Sequence, residues 1–118
     1  MAFKFESLKV WQAAIELSGE VADLVRTFPK SEMYVLSSQI QRASDSVALN
    51  IAEGSTGQSN AEFRGFLGIA LRSAIEVVWC LHLGKQRGLI ASEDFDRFYD
   101  RLTVLVKSIQ ALRNAIRS

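Results

Sequence analysis

One segment of the chain, from Gln39 to Gly54, constrains the fold more than any other. Its apolar side chains, together with Leu36 just before it, recur every three or four residues and form one stripe: Leu36, Ile40, Ala43, Val47 and Ile51. This spacing is that of an α-helix with one face in a hydrophobic core. A second, polar stripe runs along the shoulder of the first: Gln39, Arg42, Ser46, Asn50 and Glu53. Because an unpaired buried polar group costs about 1–3 kcal/mol, this stripe predicts a seam of polar contacts with a neighbouring helix.

The first half of the chain predicts two helices. We expect Ser7 to cap the first helix, and Phe28-Pro29 to end it because proline cannot continue a helix. Ser31 is the predicted cap of the second helix, which should run to about Ala52. Gly54 then fits a left-handed helix terminus.

The second half predicts two more helices. Ser59-Asn60-Ala61-Glu62 has the pattern of a capping box and opens a third helix, which should run to about Gln86 with Gly88 after it. Ser92, followed by two acids, starts the fourth helix. Long helices joined by short loops favour antiparallel neighbours. The sequence therefore predicts an all-α fold, an antiparallel up-down four-helix bundle.

Composition limits the classes of partner. The 118 residues are the size of one domain, and we expect residues 1–118 to form a single four-helix-bundle domain. With 14 basic and 13 acidic residues, the net charge of +1 gives no general attraction to nucleic acid or membrane. A single cysteine, with no signal-peptide pattern and no long uncharged run, favours a cytoplasmic protein without a membrane partner.

The polar stripe has a counterpart on the third helix. If the second and third helices form a hairpin around Gly57, the numbers of facing residues sum to about 115. Arg42 is then expected to pair with Glu76. We interpret the contact as a device for register and packing specificity rather than catalysis. The predicted interhelical polar seam comprises Gln39, Arg42, Ser46, Asn50, Glu53, Glu62, Ser73 and Glu76.

The third helix is apolar nearly all round, which a small bundle does not need. A helix of this kind must be buried on more than one side. We therefore predict a homo-oligomer with Leu71, Ile75 and Trp79 at its interface. The alternative is that Trp79 lies over a loop of its own chain.

The residues for catalysis are sparse. His82 is the only histidine and Cys80 the only cysteine, so neither a histidine cluster nor a cysteine zinc site can form within one chain. Glu53 and Glu62 could form a carboxylate pair, but helix capping explains Glu62 without catalysis. We expect no enzyme, no cofactor and no metal.

Nucleic-acid binding remains open from the sequence. The basic residues form no single stripe, so solvated surface charge is the simpler interpretation for a monomer. An oligomer could gather them into a ring or groove that attracts a phosphate backbone. The candidate contacts are Arg64, Arg72, Lys85, Arg87, Arg113 and Arg117.

Several segments match one family in combination. They are Asn50-Ile51-Ala52-Glu53-Gly54, the later Glu62-Phe63, and the pair Ser73 and Glu76. The chain resembles, over nearly its whole length, the four-helix-bundle proteins encoded in intervening sequences of bacterial 23S ribosomal RNA genes. Val35 and Arg72 depart from the pattern, since glycine is common at both positions in that family.

The resemblance implies a left-handed up-down bundle that assembles as a homo-oligomer, a pentamer. The chain is also similar to the accessory protein of diversity-generating retroelements, a barrel-shaped pentamer thought to bind nucleic acid and a reverse transcriptase. No settled activity follows from the resemblance. Two hypotheses stay open: an oligomer that binds RNA or DNA by charge, as an accessory to a nucleic-acid enzyme, and a protein-interaction scaffold with no nucleic-acid role.

Overall fold

The chain forms an up-down bundle of four α-helices. A computed structural model describes residues 2–57 and 59–117. Within these residues the helices are α1 (Lys9–Val25), α2 (Ser38–Ser55), α3 (Asn60–Gln86) and α4 (Ser92–Ala115), and no strand is present. The predicted all-α four-helix fold is confirmed.

The helices follow one another around the bundle. Each packs against the next in sequence, α2 and α3 share the most extensive contact, and α1 and α4 share the thinnest. Buried apolar side chains from all four helices form one cluster, with Leu17, Ile40, Leu67 and Leu102 at most 2 % exposed. The bundle measures 44 × 22 × 22 Å.

The serines predicted to cap the first two helices do not do so. Ser7 lies in a short 3₁₀ turn, Lys4–Ser7, and its hydroxyl donates to the Lys4 carbonyl oxygen at 2.9 Å. Ser31 lies inside a second 3₁₀ turn, Lys30–Glu32, which continues through a π-helical turn, Met33–Ser37, into α2. The prediction for Ser31 was wrong because α2 continues from these turns instead of starting at a cap: the Ser38 N–H donates to the Val35 carbonyl oxygen in the turn before it.

The residues predicted to begin α3, to follow it and to begin α4 are confirmed. The Ser59 hydroxyl oxygen accepts from the Glu62 N–H at 3.1 Å and caps α3. Gly88 follows α3 with a left-handed φ of 73°. Ser92 is the first residue of α4, with Glu93 and Asp94 in its first turn, where the helix dipole favours acids.

Gly54 serves packing and does not form a left-handed terminus. Among the described residues only Gly88 has positive φ, whereas Gly54 is buried inside α2. A Cβ placed on Gly54 would lie 2.7 Å from Phe66 Cβ and 3.0 Å from Phe63 Cδ1. The glycine is therefore needed because α3 approaches α2 closely just beyond their connecting loop.

α3 is also the most apolar helix. Of the helices in residues 2–57 and 59–117, it alone is long and apolar enough, by length and composition, to cross a membrane. The core helix of a soluble protein has the same composition, and α3 packs against both α2 and α4. Its exposed side carries Arg72 and Glu76 near mid-helix, where ionised side chains are costly in lipid.

Candidate functional site

The residues at the centre of the predicted polar seam form hydrogen bonds where α2 packs against α3. The hydroxyl groups of Ser46 and Ser73 lie 2.8 Å apart. The Asn50 side-chain amide donates to the Ser46 carbonyl oxygen at 2.8 Å and to the Ser46 hydroxyl at 2.9 Å. Ser73 is buried, so these bonds satisfy polar groups that water barely reaches.

The predicted Arg42–Glu76 pair is wrong, because Gln39 takes the place of Arg42. The Gln39 side-chain amide donates to the Glu76 carboxylate at 3.0 Å. Arg42 is exposed and makes no hydrogen bond or ion pair with any described residue. The reason is angular: at about 100° per residue, Arg42 lies roughly 60° farther around α2 from the core stripe than Gln39 does.

The outer members of the seam do not join it. Glu53, like Arg42, lies on the far side of the polar arc and is exposed. Glu62 takes part in the N-terminal cap of α3. The seam that the structure brings together therefore comprises Gln39, Ser46, Asn50, Ser73 and Glu76.

Two of the six basic candidates hold the end of the chain in place. The Arg64 guanidinium, on α3, donates to the carbonyl oxygens of Arg113 and Ile116, the second at 2.9 Å. The Arg113 Nε in turn donates to the Arg64 carbonyl oxygen at 3.1 Å. Both side chains are partly buried, and these contacts fasten the last turn of α4 to the first turns of α3.

Two more basic candidates contact other side chains. Arg87 forms an ion pair with Glu32 at 3.3 Å. The Lys85 ammonium lies over the Phe95 ring, 4.5 Å from its centroid. Arg72 and Arg117 are exposed and have no hydrogen-bond or ion-pair partner among the described residues. The six candidates therefore do not form one phosphate-binding surface within the subunit.

The exposed side of α3 carries a set of large apolar side chains, which we call the α3 face. Its members are Ile69 (47 % exposed), Ile75 (39 %), Trp79 (61 %) and Leu83 (45 %). Two shallow cavities of about 510 and 280 Å³ flank Trp79 and share it and Glu76 in their linings. Leu71, the third predicted interface residue, is only 9 % exposed and packs in the core of its own subunit, so this assignment was wrong.

A second apolar surface was missed in the sequence. The thin contact between α1 and α4 leaves a groove of about 440 Å³, which we call the α1–α4 groove. Its lining is mainly apolar, from Val10, Ala13, Leu17, Val104 and Leu105, and the polar residues that also line it are Lys9, Asp100, Arg101 and Ser108. Val104 is 64 % exposed on one wall. The consecutive apolar residues Val104-Leu105-Val106 were the available signal, since a helix with one buried face needs only some of them.

The single cysteine and the single histidine lie against other side chains of the subunit. Burial raises the pKa of the Cys80 thiol to about 11, and the neighbouring Glu76 carboxylate adds to the rise. The His82 ring packs edge-on against Phe95 at 4.9 Å. Within the described residues no cluster of three metal-ligating side chains occurs.

The family of the chain follows from its match to a family model. The model described as "23S rRNA-intervening sequence protein" matches residues 6–111. The chain belongs to this family. The match confirms the resemblance that the Asn50–Gly54 segment and the later motifs indicated.

A solved structure of the same kind supports the fold. A protein of unknown function from the S23 ribosomal protein family of Bacteroides thetaiotaomicron is similar, with a TM-score of 0.84 and 26 % sequence identity. The alignment covers 90 % of this chain and 96 % of that one. No curated protein matches this chain. Neither description names an activity.

Proposed function

We propose that this member of the family is a non-enzymatic protein-interaction scaffold that assembles as a homo-oligomer through the α3 face. The observation that carries the proposal is the exposure of Ile69, Ile75, Trp79 and Leu83 along one side of the central helix. Contiguous apolar surface of this kind marks interaction sites in soluble proteins. Trp at the centre of such a surface is typical of the residues that dominate binding energy.

The composition of α3 supports burial on this side. α3 already buries Leu67, Ala74, Val77 and Leu81 in the core of its own subunit. The apolar residues opposite them are left 39–61 % exposed in the subunit, yet the helix keeps only Arg72 and Glu76 as charges there. A helix that is apolar on both sides is stable in water only if both sides are covered.

The proposal that the protein is not an enzyme rests on its reactive groups. At neutral pH the Cys80 thiol stays protonated, and a protonated thiol is a poor nucleophile. The polar seam is internally satisfied, with Ser46, Asn50 and Ser73 bonded to one another. A reduced thiol of this kind is also what we expect of a cytoplasmic protein.

Sedimentation velocity tests the proposal. Wild-type protein should sediment as a multiple of the 13.1 kDa chain. Trp79→Glu should sediment as a monomer, because a buried charge at the interface is strongly unfavourable. Leu49→Glu is the matched control, since Leu49 is 68 % exposed on the outer side of α2, away from the α3 face. A monomeric wild type, or a Trp79→Glu variant as large as wild type, would contradict the proposal. The resemblance alone implies five subunits, and the measured mass counts them.

Nucleic-acid binding is the second candidate, and the charge distribution of α4 favours it. α4 begins with acids, but after Asp100 the sequence carries only basic charges: Arg101, Lys107, Arg113 and Arg117. Lys107 and Arg117 make no hydrogen bond or ion pair with a described residue. In an oligomer these free cations would be repeated around one end of the assembly, where a phosphate backbone could contact several. A nucleic-acid enzyme is the partner that the resemblance to the retroelement accessory protein implies.

A titration with labelled RNA and DNA at two salt concentrations tests this second function. Binding should weaken steeply as salt rises, and a Lys107→Glu/Arg117→Glu double variant should abolish it. Lys30→Glu is the control, because Lys30 is an exposed cation at the opposite end of the bundle. Absence of binding at low salt would leave the scaffold as the remaining function.

A further inference from the structure

The α3 face and the α1–α4 groove lie on different sides of the bundle. α3 packs against α2 and α4, so it stands diagonally across from α1. Its exposed side points away from the core, whereas the groove opens between the other pair of neighbouring helices. One subunit therefore carries two apolar surfaces that do not overlap: a convex one with Trp79 and a concave one beside Val104.

Two separate surfaces allow a head-to-tail contact. An isologous contact uses one surface twice and would leave the other apolar surface in water. A heterologous contact uses a different surface on each partner and continues around a closed ring. This arrangement covers both the α3 face and the α1–α4 groove in every subunit with a single kind of interface, whereas isologous contacts would need two kinds.

We propose that the α3 face of each subunit docks along the α1–α4 groove of a second copy of this chain. The inference rests on the proposed homo-oligomer and specifies its interface. The occupant of the groove is thus another subunit, which supplies apolar side chains from the exposed side of α3.

The levels of the two surfaces along the bundle agree with this docking. Ser18 of α1 is hydrogen-bonded to Asp45, and its carbonyl oxygen accepts from Gln41, so it is level with the segment between them on α2. The Ser46–Ser73 and Gln39–Glu76 bonds place that segment level with about residue 74 of α3. By the same register, Ala13 at the middle of the groove is level with about residue 69.

Residues at one level meet in a closed ring. Subunits of a ring whose axis runs along the bundles are related by rotation without a shift along that axis. Ile69 of one copy therefore faces the middle of its neighbour's groove, between Ala13 and Leu105. Trp79 lies about 15 Å farther along α3, level with a second cavity between α1 and α4. The lining of that cavity is mixed, with charged and apolar residues: Glu20, Asp23, Leu24, Thr27, Leu89, Asp94 and Arg97.

The charges beside the two surfaces are also complementary. Arg72 is a cation of the exposed side of α3 without a partner among the described residues. In the register given above it is level with Glu16, whose side chain is 73 % exposed at the edge of α1. The nearest cation to Glu16 in its own subunit is Arg101, at 3.7 Å, and Arg101 also pairs with Glu20. Docking thus brings an unpaired arginine to a largely exposed glutamate.

Two variants, each with one damaged surface, test the contact. Ile69→Glu damages the α3 face and Val104→Glu damages the groove. Each protein alone should be monomeric. Mixed in equal amounts, they should form a dimer and nothing larger, because one intact face and one intact groove remain in the mixture. Leu49→Glu, which changes an exposed apolar residue outside both surfaces, should keep the wild-type mass. Circular dichroism of each variant confirms that it is folded.

The outcomes separate this inference from the proposed function. A monomeric wild type would overturn both. An oligomeric wild type with a Val104→Glu variant of unchanged mass would overturn the docking alone, and the oligomer would then use the α3 face in another way. Failure of the two folded monomers to form a dimer would also overturn the docking.

A charge exchange gives an independent measurement. Arg72→Glu and Glu16→Arg should each raise the concentration at which the oligomer dissociates, by roughly tenfold for a contact that is partly solvated. The combined variant Arg72→Glu/Glu16→Arg should recover most of the loss. If the combined variant lost as much oligomer stability as the two single variants added together, the predicted proximity of Arg72 and Glu16 would be refuted.

Discussion

Substitution of Gly54 by alanine tests how tightly α2 and α3 close on each other. The new Cβ would lie 2.7 Å from Phe66 Cβ, 3.0 Å from Phe63 Cδ1 and 3.4 Å from the Phe63 carbonyl oxygen. Ordinary carbon contacts are about 3.5–4.0 Å. The Phe66 Cβ is fixed to the backbone of α3 and cannot rotate away, so the two helices must separate at this point.

The expected cost follows from two opposed effects. Overpacking of a well-packed contact costs about 1–3 kcal/mol. Alanine in place of glycine inside a helix returns up to about 1 kcal/mol, because Gly54 has ordinary helical geometry and alanine restricts the unfolded chain. We therefore expect a net destabilisation of about 1–2 kcal/mol, or a decrease in Tm of about 3–10 °C for a domain of this size.

Gly19→Ala is the control for this experiment. Gly19 lies in α1, and a Cβ placed there would meet nothing within 4 Å. The control should gain about 0.5–1 kcal/mol, so the two variants should differ by about 1.5–3 kcal/mol. Urea denaturation curves of the two variants, recorded at the same protein concentration, measure the difference in the free energy of unfolding. A Gly54→Ala variant as stable as Gly19→Ala would refute the close approach of α2 and α3.

Three further predictions concern contacts inside the subunit. Arg64→Ala should speed amide hydrogen exchange over the last turn of α4 and lower stability by about 1–3 kcal/mol, because the carbonyl oxygens there lose a charged donor. Arg64→Lys should recover only part of this stability. Unchanged hydrogen exchange in Arg64→Ala would argue against the contact. Ser73→Ala should lower the free energy of unfolding by about 1 kcal/mol. The double variant Ser46→Ala/Ser73→Ala should lose less than the sum of the two single variants. Additive losses in this double-mutant cycle would contradict the hydrogen bond. Cys80 should react with a thiol reagent at pH 8 about 100-fold more slowly than in unfolded protein, since a pKa of about 11 leaves about 100-fold less thiolate than a pKa of 9.0.

The same thiol predicts how stability depends on alkaline pH. The folded-state pKa of Cys80 lies above the unfolded value, so its contribution is fully present below about pH 9. It is lost as the pH rises toward 11, by about 2–3 kcal/mol in all. Cys80→Ala should lack this part of the decline, and identical pH profiles for the variant and wild type would contradict the shifted pKa.

Regular periodicity made the helices predictable from the sequence. The apolar stripe of α2 and the Ser59 cap of α3 are local features, and both depend on spacings of three or four residues. The turns before α2 were missed because they lack the regular α-helical spacing. Residues 30–37 pass through 3₁₀ and π-helical geometry. No single capping serine marks that passage, because each turn continues into the next.

The side-chain partners were less predictable than the helices. The polar stripe on α2 was found from the sequence, but which member faces Glu76 depends on a rotation of roughly 60° about the helix, and this separates Gln39 from Arg42. The Arg64–Arg113 contact joins residues 49 apart and depends on how α3 and α4 meet at one end of the bundle. No local pattern indicates such a pairing, so both arginines were expected on the surface.

The emission of Trp79 tests most directly whether the α3 face is buried in an oligomer. Trp11→Phe leaves Trp79 as the only tryptophan, and Trp79 is 61 % exposed in the isolated subunit. At high protein concentration we predict blue-shifted emission that acrylamide quenches weakly, with a shift to red, easily quenched emission as dilution dissociates the subunits. Red emission that acrylamide quenches equally at every concentration would show that Trp79 always faces water, and would contradict the proposed role of the α3 face.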